Sequence, residues 1–289
     1  MGHKLHLRAI INIARGEYIK WITNPRLVTA MMLLVFIRAF AVSPMLGHAA
    51  KFGAPLNIIE PFLAVCNSGL LALFLPVVFI LLMCDFPVMG HSTLLTVSRC
   101  GKLNWFLGQM LFALWCILTY IGAMLLGCVL MSHGKFGTVW SDTASKYAAR
   151  FPNSANDLVS QLLPPNLYNQ LSLGAALLHS VLLMLMSLTV AVLTLCLFKM
   201  LYLRTAGIFT VIAVCAFGAV TCALKNKAQW LFPTANTIVW LHFQELFRRQ
   251  NVPVYVSYLY FGLCILILFI ADLTALKRLQ FQNIEQEGD

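Results

Sequence analysis

Few residues in this chain have the type and spacing to do chemistry. His242-Phe-Gln-Glu245 sets a histidine and a carboxylate three apart, on one face if that stretch is helical, where the pair could hold a metal ion. With no third ligand nearby, the other reading is the polar edge of a membrane-dipping helix. Arg38 and Asp272 are the two charges inside long apolar runs, where charge is costly and often functional. Arg38 lies about five residues before the end of the first run at Ser43, so it either snorkels to headgroups or lines a substrate path. Asp272 sits near the end of the last run beside Lys277 and Arg278, where an interfacial position suits it. GxxxxGK[ST], HExxH and GxSxG are all absent, so the chain carries no phosphate-cradling loop, zinc-peptidase helix or serine elbow of those kinds.

The elements that must position these residues are apolar. Hydrophobic residues make up 60% of the 289 and charged residues 10%. A soluble domain carries about 25% charged residues, so the composition excludes a large soluble core. The apolar runs are continuous and long enough for spans of about 20 residues, which predicts helices and not barrel strands. The expected fold is an all-α integral membrane protein forming a single transmembrane domain over 1–289. Its six spans fall at Leu27–Ser43, Phe62–Met83, Trp105–Met131, Leu171–Leu197, Ala206–Leu224 and Val254–Leu276. The net charge of +10 then reads as loop charge that sets orientation, not as a nucleic-acid surface. The nine cysteines form no CxxC and fall in or beside apolar runs, where each acts as a small hydrophobe. No signal-peptide pattern follows Met1, and the Met-Gly start lacks the hydroxyl residue expected at position 6 for myristoylation.

Before the first span, residues 4–22 place Leu7, Ile10, Ile11, Ala14, Tyr18, Trp21 and Ile22 on one helical face, with Arg8 and Arg15 opposite. This is an interfacial amphipathic helix, with Trp21 near the headgroups. An even span count puts both termini on one side. Placing them inside gives the inner segments eleven basic residues and the longer outer segments eight, which makes the N-terminal side cytosolic. The outer loop 132–170 should hold short helices near 141–150 and 157–163. Residues 225–253 are too apolar for a free loop and too broken for a span, which predicts a re-entrant helical pair.

The cytosolic hairpin 84–109 is too polar to span and too apolar for a plain linker. It carries Leu94, Leu95 and Val97 beside Arg99 and Lys102, with Asp85 and Trp105 marking the membrane exits. An exposed segment of this kind suits docking into a partner's groove.

This arrangement resembles the membrane-spanning subunits of type-2 ATP-binding-cassette exporters. The likeness rests on a surface helix with Glu17-Tyr-Ile-Lys-Trp-Ile-Thr-Asn-Pro-Arg26, a hairpin turn Ser98-Arg99-Cys-Gly-Lys102 after the second span, and the Pro-containing Phe232-Pro233 stretch before the sixth. The resemblance implies a non-catalytic permease that pairs with a second permease subunit. Asp85, Leu94, Leu95, Val97, Arg99 and Lys102, with the N-terminal helix, would dock cytosolic ATPase subunits. ATP and Mg would be held by those partners, and no cofactor by this chain. A bacterial inner membrane suits such separate subunits. The weakly charged spans suit an amphipathic or hydrophobic cargo such as a peptide, an antibiotic or a lipid-like compound. An ion-coupled carrier, and an intramembrane metal enzyme using His242 and Glu245, are the alternatives.

Overall fold

The computed structural model describes residues 5–151, 157–244 and 249–279. Those residues are all-α, without strands and with two isolated bridges. The helices are α1 (Leu7–Ile22), α2 (Leu27–Ile37), α3 (Ser43–Phe52), α4 (Glu60–Asn67), α5 (Leu71–Leu82), α6 (His91–Cys100) and α7 (Lys102–Ser132), followed by α8 (Asp142–Arg150), α9 (Leu158–Leu162), α10 (Pro165–Tyr168), α11 (Leu173–Met200), α12 (Arg204–Ala223), α13 (Pro233–Thr237) and α14 (Val254–Arg278).

Five helical rods are long and apolar enough to cross a membrane: Leu27–Phe52, Lys102–Ser132, Leu173–Met200, Arg204–Ala223 and Val254–Arg278. A membrane-embedded protein follows from them. The run expected as the second span is broken into α4 and α5, bent by 85° at Ser68–Leu70. Asn67 explains the break. Its Nδ2 donates to Leu63 O and to Ser180 Oγ (2.9 Å each), while its Oδ1 accepts from Val239 N and its carbonyl from Trp240 Nε1 (2.8 Å each). The Asn67 carbonyl freed by the bend is thus met by Trp240, and its side chain is held by Ser180 and Val239.

Other boundaries also move. The first rod does not end at Ser43 but passes through a π turn at Arg38–Val42 and continues to Phe52. The second rod begins at Lys102 and not at Trp105, so Lys102, Trp105 and Gln109 belong to a helix about 46 Å long, beyond the roughly 30 Å of a hydrocarbon core. Gly101, at φ +85°, makes the reversal between α6 and α7 in a region that L side chains rarely adopt. Residues 225–243 are not a helical pair but three short turns, Lys227–Leu231, Pro233–Thr237 and Val239–His242, separated by extended Phe232 and Ile238.

At the end away from the hairpin, short helices form a cap anchored by a buried acid. Glu60, fully buried, accepts from Ser141 N (2.6 Å), Ser141 Oγ (2.8 Å) and Asn57 N (3.1 Å). Ser141 in turn caps α8 by accepting from Ala144 N.

Candidate functional site

The hairpin end of the bundle is organised by one carboxylate. Asp85, just past α5, accepts from Arg26 Nη1 on one oxygen and from Arg204 Nη2 on the other, and Lys199 Nζ donates to its backbone carbonyl. Arg26 precedes α2, Lys199 is in the last turn of α11 and Arg204 opens α12, so the root of the hairpin is fastened to three rods. Asp85 is therefore an internal fastening and not simply a marker of a membrane exit. Gln109 Oε1 adds a fourth tie by accepting from Val88 N (3.1 Å).

The hairpin helix α6 divides its residues. Leu94 and Leu95 are exposed (40% and 62%), as is Arg99. Val97, expected on the same docking face, turns back against the core. Lys102 does not point to a partner either, because its ammonium donates to Leu279 O (2.7 Å) and joins the start of α7 to the end of α14. Trp105 is buried at 1% exposure, a core residue and not a headgroup anchor. Three of the six residues assigned to docking thus present an open surface: Leu94, Leu95 and Arg99.

The amphipathic segment folds as α1, but half of its apolar face is used internally. Ile10, Ala14 and Trp21 are buried, while Leu7, Ile11 and Ile22 stay exposed beside Arg8 and Arg15. Trp21 Nε1 donates to Leu82 O (3.2 Å), which draws the ring inward and away from a headgroup position. The helix runs in the same direction as α7. His6 N donates to Asn104 Oδ1 (3.1 Å), Ile13 presses on Gly108, and Tyr18 Oη meets Thr119 Oγ1 (2.7 Å). Between α1 and the hairpin root lies a cavity of about 160 Å³ bordered by Glu17, Trp21, Arg26, Asp85, Phe86 and Phe112. Glu17 pairs with Lys20 through Oε1 (3.0 Å), and its buried Oε2 has no hydrogen-bond partner among the described residues.

Two intramembrane charges take positions that differ from expectation. Arg38 opens the π turn, exposed on the same side as Met31, Met32 and Val35, eleven residues after Leu27 and fourteen before Phe52. It is not close to a helix end, since the rod outruns Ser43. Asp272 is wholly buried, not interfacial, and both of its carboxylate oxygens lack a hydrogen-bond partner among the described residues.

At the opposite end His242 closes the last 3₁₀ turn and Phe243 is extended, so no helical face continues toward Glu245, which lies outside the described residues. His242 is instead part of a polar knot. Its Nδ1 faces Val252 O (2.9 Å) and its Nε2 faces Ser257 Oγ (3.3 Å). Ser257 donates to Asn236 Oδ1 (2.7 Å), and Asn236 donates to Trp230 O and Phe232 O (2.9 Å each). No group of three or more metal-ligating side chains occurs among the described residues. A second cavity, about 250 Å³, lies under the cap between His48, Tyr147, Val159, Leu163 and Tyr168, with His48 stacked on Tyr147 at 4.0 Å.

The partners of Asp85 escaped sequence reasoning, although a signal exists. Arg26 and Arg204 each stand immediately before an apolar run, and Asp85 stands immediately after one, all on the same side of the expected membrane. Comparison of the chain with protein-family models, with curated proteins and with solved structures gives no match.

Proposed function

We propose that this chain is the membrane-embedded, non-catalytic subunit of an ATP-driven exporter, moved by a separate cytosolic ATPase that docks on α6. The observation that carries the reading is the junction at Asp85. The hairpin offers Leu94, Leu95 and Arg99 outward, while its root is fastened to Arg26, Lys199 and Arg204. A push on α6 would thus be transmitted to the starts of α2 and α12 and to the end of α11. A short amphipathic helix with an apolar pair and a flanking arginine suits a groove on a partner.

In this reading the bent α4–α5 pair is one span, which makes six, and both termini are cytosolic in a cell membrane. Helix α1 stands beside the first half of α7 on the cytosolic side, with Arg8 and Arg15 exposed and Glu17 turned toward the hairpin root. The short turns of 225–243 form a re-entrant wedge against the bend at Asn67. Arg38, exposed in mid-helix, faces a path shared with a second permease subunit, because a charge there is costly against lipid alone. The partner ATPase holds ATP and Mg, and the cargo is amphipathic or hydrophobic.

The test is to co-express the chain with a candidate P-loop ATPase subunit and measure co-purification and ATP-dependent transport in proteoliposomes. Leu94→Asp with Arg99→Glu should abolish binding while leaving the permease folded. Undiminished ATPase binding by that double variant would overturn docking on α6. Transport that persists without ATPase and collapses with an ion gradient would overturn the exporter reading in favour of a carrier.

A further inference from the structure

Asp272 has no role in the junction at Asp85. It lies on the face of α14 that packs along α11, six residues before the end of its helix at Arg278. It is 0% exposed, and neither carboxylate oxygen has a hydrogen-bond partner among the described residues. Its neighbours on its own helix, Ala275 and Leu276, are buried and apolar.

The described groups that could neutralise a charge there are committed or distant. From α11 the Cys196 thiol lies within hydrogen-bonding reach of the carboxyl, but a thiol is a weak donor and carries no positive charge. Lys199, one turn further, is engaged with the Asp85 carbonyl. From α7, Lys102 reaches past the helix end to Leu279 O. The residues of α13 are Pro233, Thr234, Ala235, Asn236 and Thr237, none of them ionisable. On α14 itself, Lys277 and Arg278 are exposed in the last turn. An ionised carboxylate left without a cationic partner in such a place carries an uncompensated desolvation penalty. The neutral acid avoids that cost.

We propose that Asp272 is a proton-binding site, a carboxylic acid held neutral between α11 and α14 that ionises only when these helices part or water enters. Its six-residue distance from the end of α14 is about 9 Å along the axis, a short route for a proton from the hairpin side. Proton occupancy and the α11–α14 contact are then linked, whether or not an ATPase drives the protein. A stretch of the membrane that must open during a transport cycle would release the proton as it opens. Raising the pH would favour that open form.

The experiment uses the full-length protein in lipid nanodiscs. A membrane-soluble carbodiimide, which reacts with protonated carboxyls, should label Asp272 at neutral pH, and peptide mass spectrometry should locate the adduct. Labelling of the wild type should fade as pH rises and be lost in Asp272→Asn. Infrared spectra of the same samples should show a protonated-carboxyl carbonyl band in the wild type that is missing from Asp272→Asn. Because the labelling series needs only the wild type, an unfolded variant does not blur the result. Absence of both label and band at neutral pH would overturn the proposal. So would loss of the band on adding sodium or potassium at fixed pH, which would make this a cation site.

Discussion

Asp85 and Arg204 stand 119 residues apart in the chain, and their side chains share an ion pair whose other carboxylate oxygen is taken by Arg26. All three side chains are about half exposed, so water screens them and each pair is worth up to about 1 kcal/mol. The junction matters more for holding geometry than for stability. Asp85→Asn keeps the size and one acceptor but removes the charge that holds both arginines. Thermal unfolding in detergent should drop by only about 2–4 °C. A double-mutant cycle with Arg204→Gln should give a coupling of about 0.5–1 kcal/mol. Strictly additive effects would mean that the pair does not form in solution.

A closer contact sets the position of α1. A side chain added at Gly108 would meet Ile13 Cγ2 at 2.8 Å, Ile13 Cβ at 2.9 Å and the Ile10 carbonyl at 3.2 Å. Ile13 cannot retreat far, since its Cβ is as close as its tip. Gly108→Ala should therefore force α1 away from α7 and cost about 1–3 kcal/mol, despite alanine's better helix propensity. Gly122, in the same helix, has nothing within 4 Å of an added Cβ, so Gly122→Ala should be neutral or gain up to about 1 kcal/mol. Trypsin cleavage at Arg15 and Lys20 should accelerate in the first variant and not in the second.

How far the fold could be read from the sequence depended on what each signal reported. Continuous apolar runs located α7, α11, α12 and α14, because a bilayer demands length and apolarity and little else. The bend at Asn67 was hidden, since the residues that hold its side chain and carbonyl, Ser180, Val239 and Trp240, are far away in sequence. Periodicity correctly paired Ile10, Ala14 and Trp21 on one face of α1, yet it could not tell a face that meets lipid from one that meets α7. Hydropathy likewise placed Asp272 by its distance from a run's end, whereas its burial comes from α11. Of the docking residues, Leu94, Leu95 and Arg99 lie open and Val97 turns back on the core, while the partner of Lys102 comes from outside the hairpin and left no local trace.

The cap offers a test of a buried acid. Three donors converge on Glu60, two from Ser141 and one from Asn57. Glu60→Gln replaces one acceptor oxygen with an NH₂ that must face a donor. Hydrogen bonds to a charged group are worth about 1.5–3 kcal/mol, so the variant should lose about that much. Ser141→Ala also removes the cap of α8, worth about 1 kcal/mol. Proteolysis within 141–151 should quicken in both variants while the long rods stay protected. Unchanged protection of the cap would show that Glu60 does not anchor it.

His242 makes the stability of the opposite end depend on pH. Burial pushes its imidazole below the ordinary value, against the opposing pull of the Val252 carbonyl. The network assigns the neutral form with Nδ1–H donating to Val252 O. The folded value is depressed, so below about pH 6.5 the unfolded chain binds a proton that the native chain does not. Stability should therefore be full above that pH and fall as pH drops toward the folded value, by at most about 1.4 kcal/mol per pH unit from this group. Thermal unfolding in detergent from neutral to mildly acidic pH should show the decline. His242→Asn, which cannot take the proton, should start from a lower melting temperature because the knot with Ser257 and Val252 is weakened, but its curve should be flatter over the same range. A variant slope as steep as the wild type's would assign the acid sensitivity to other groups.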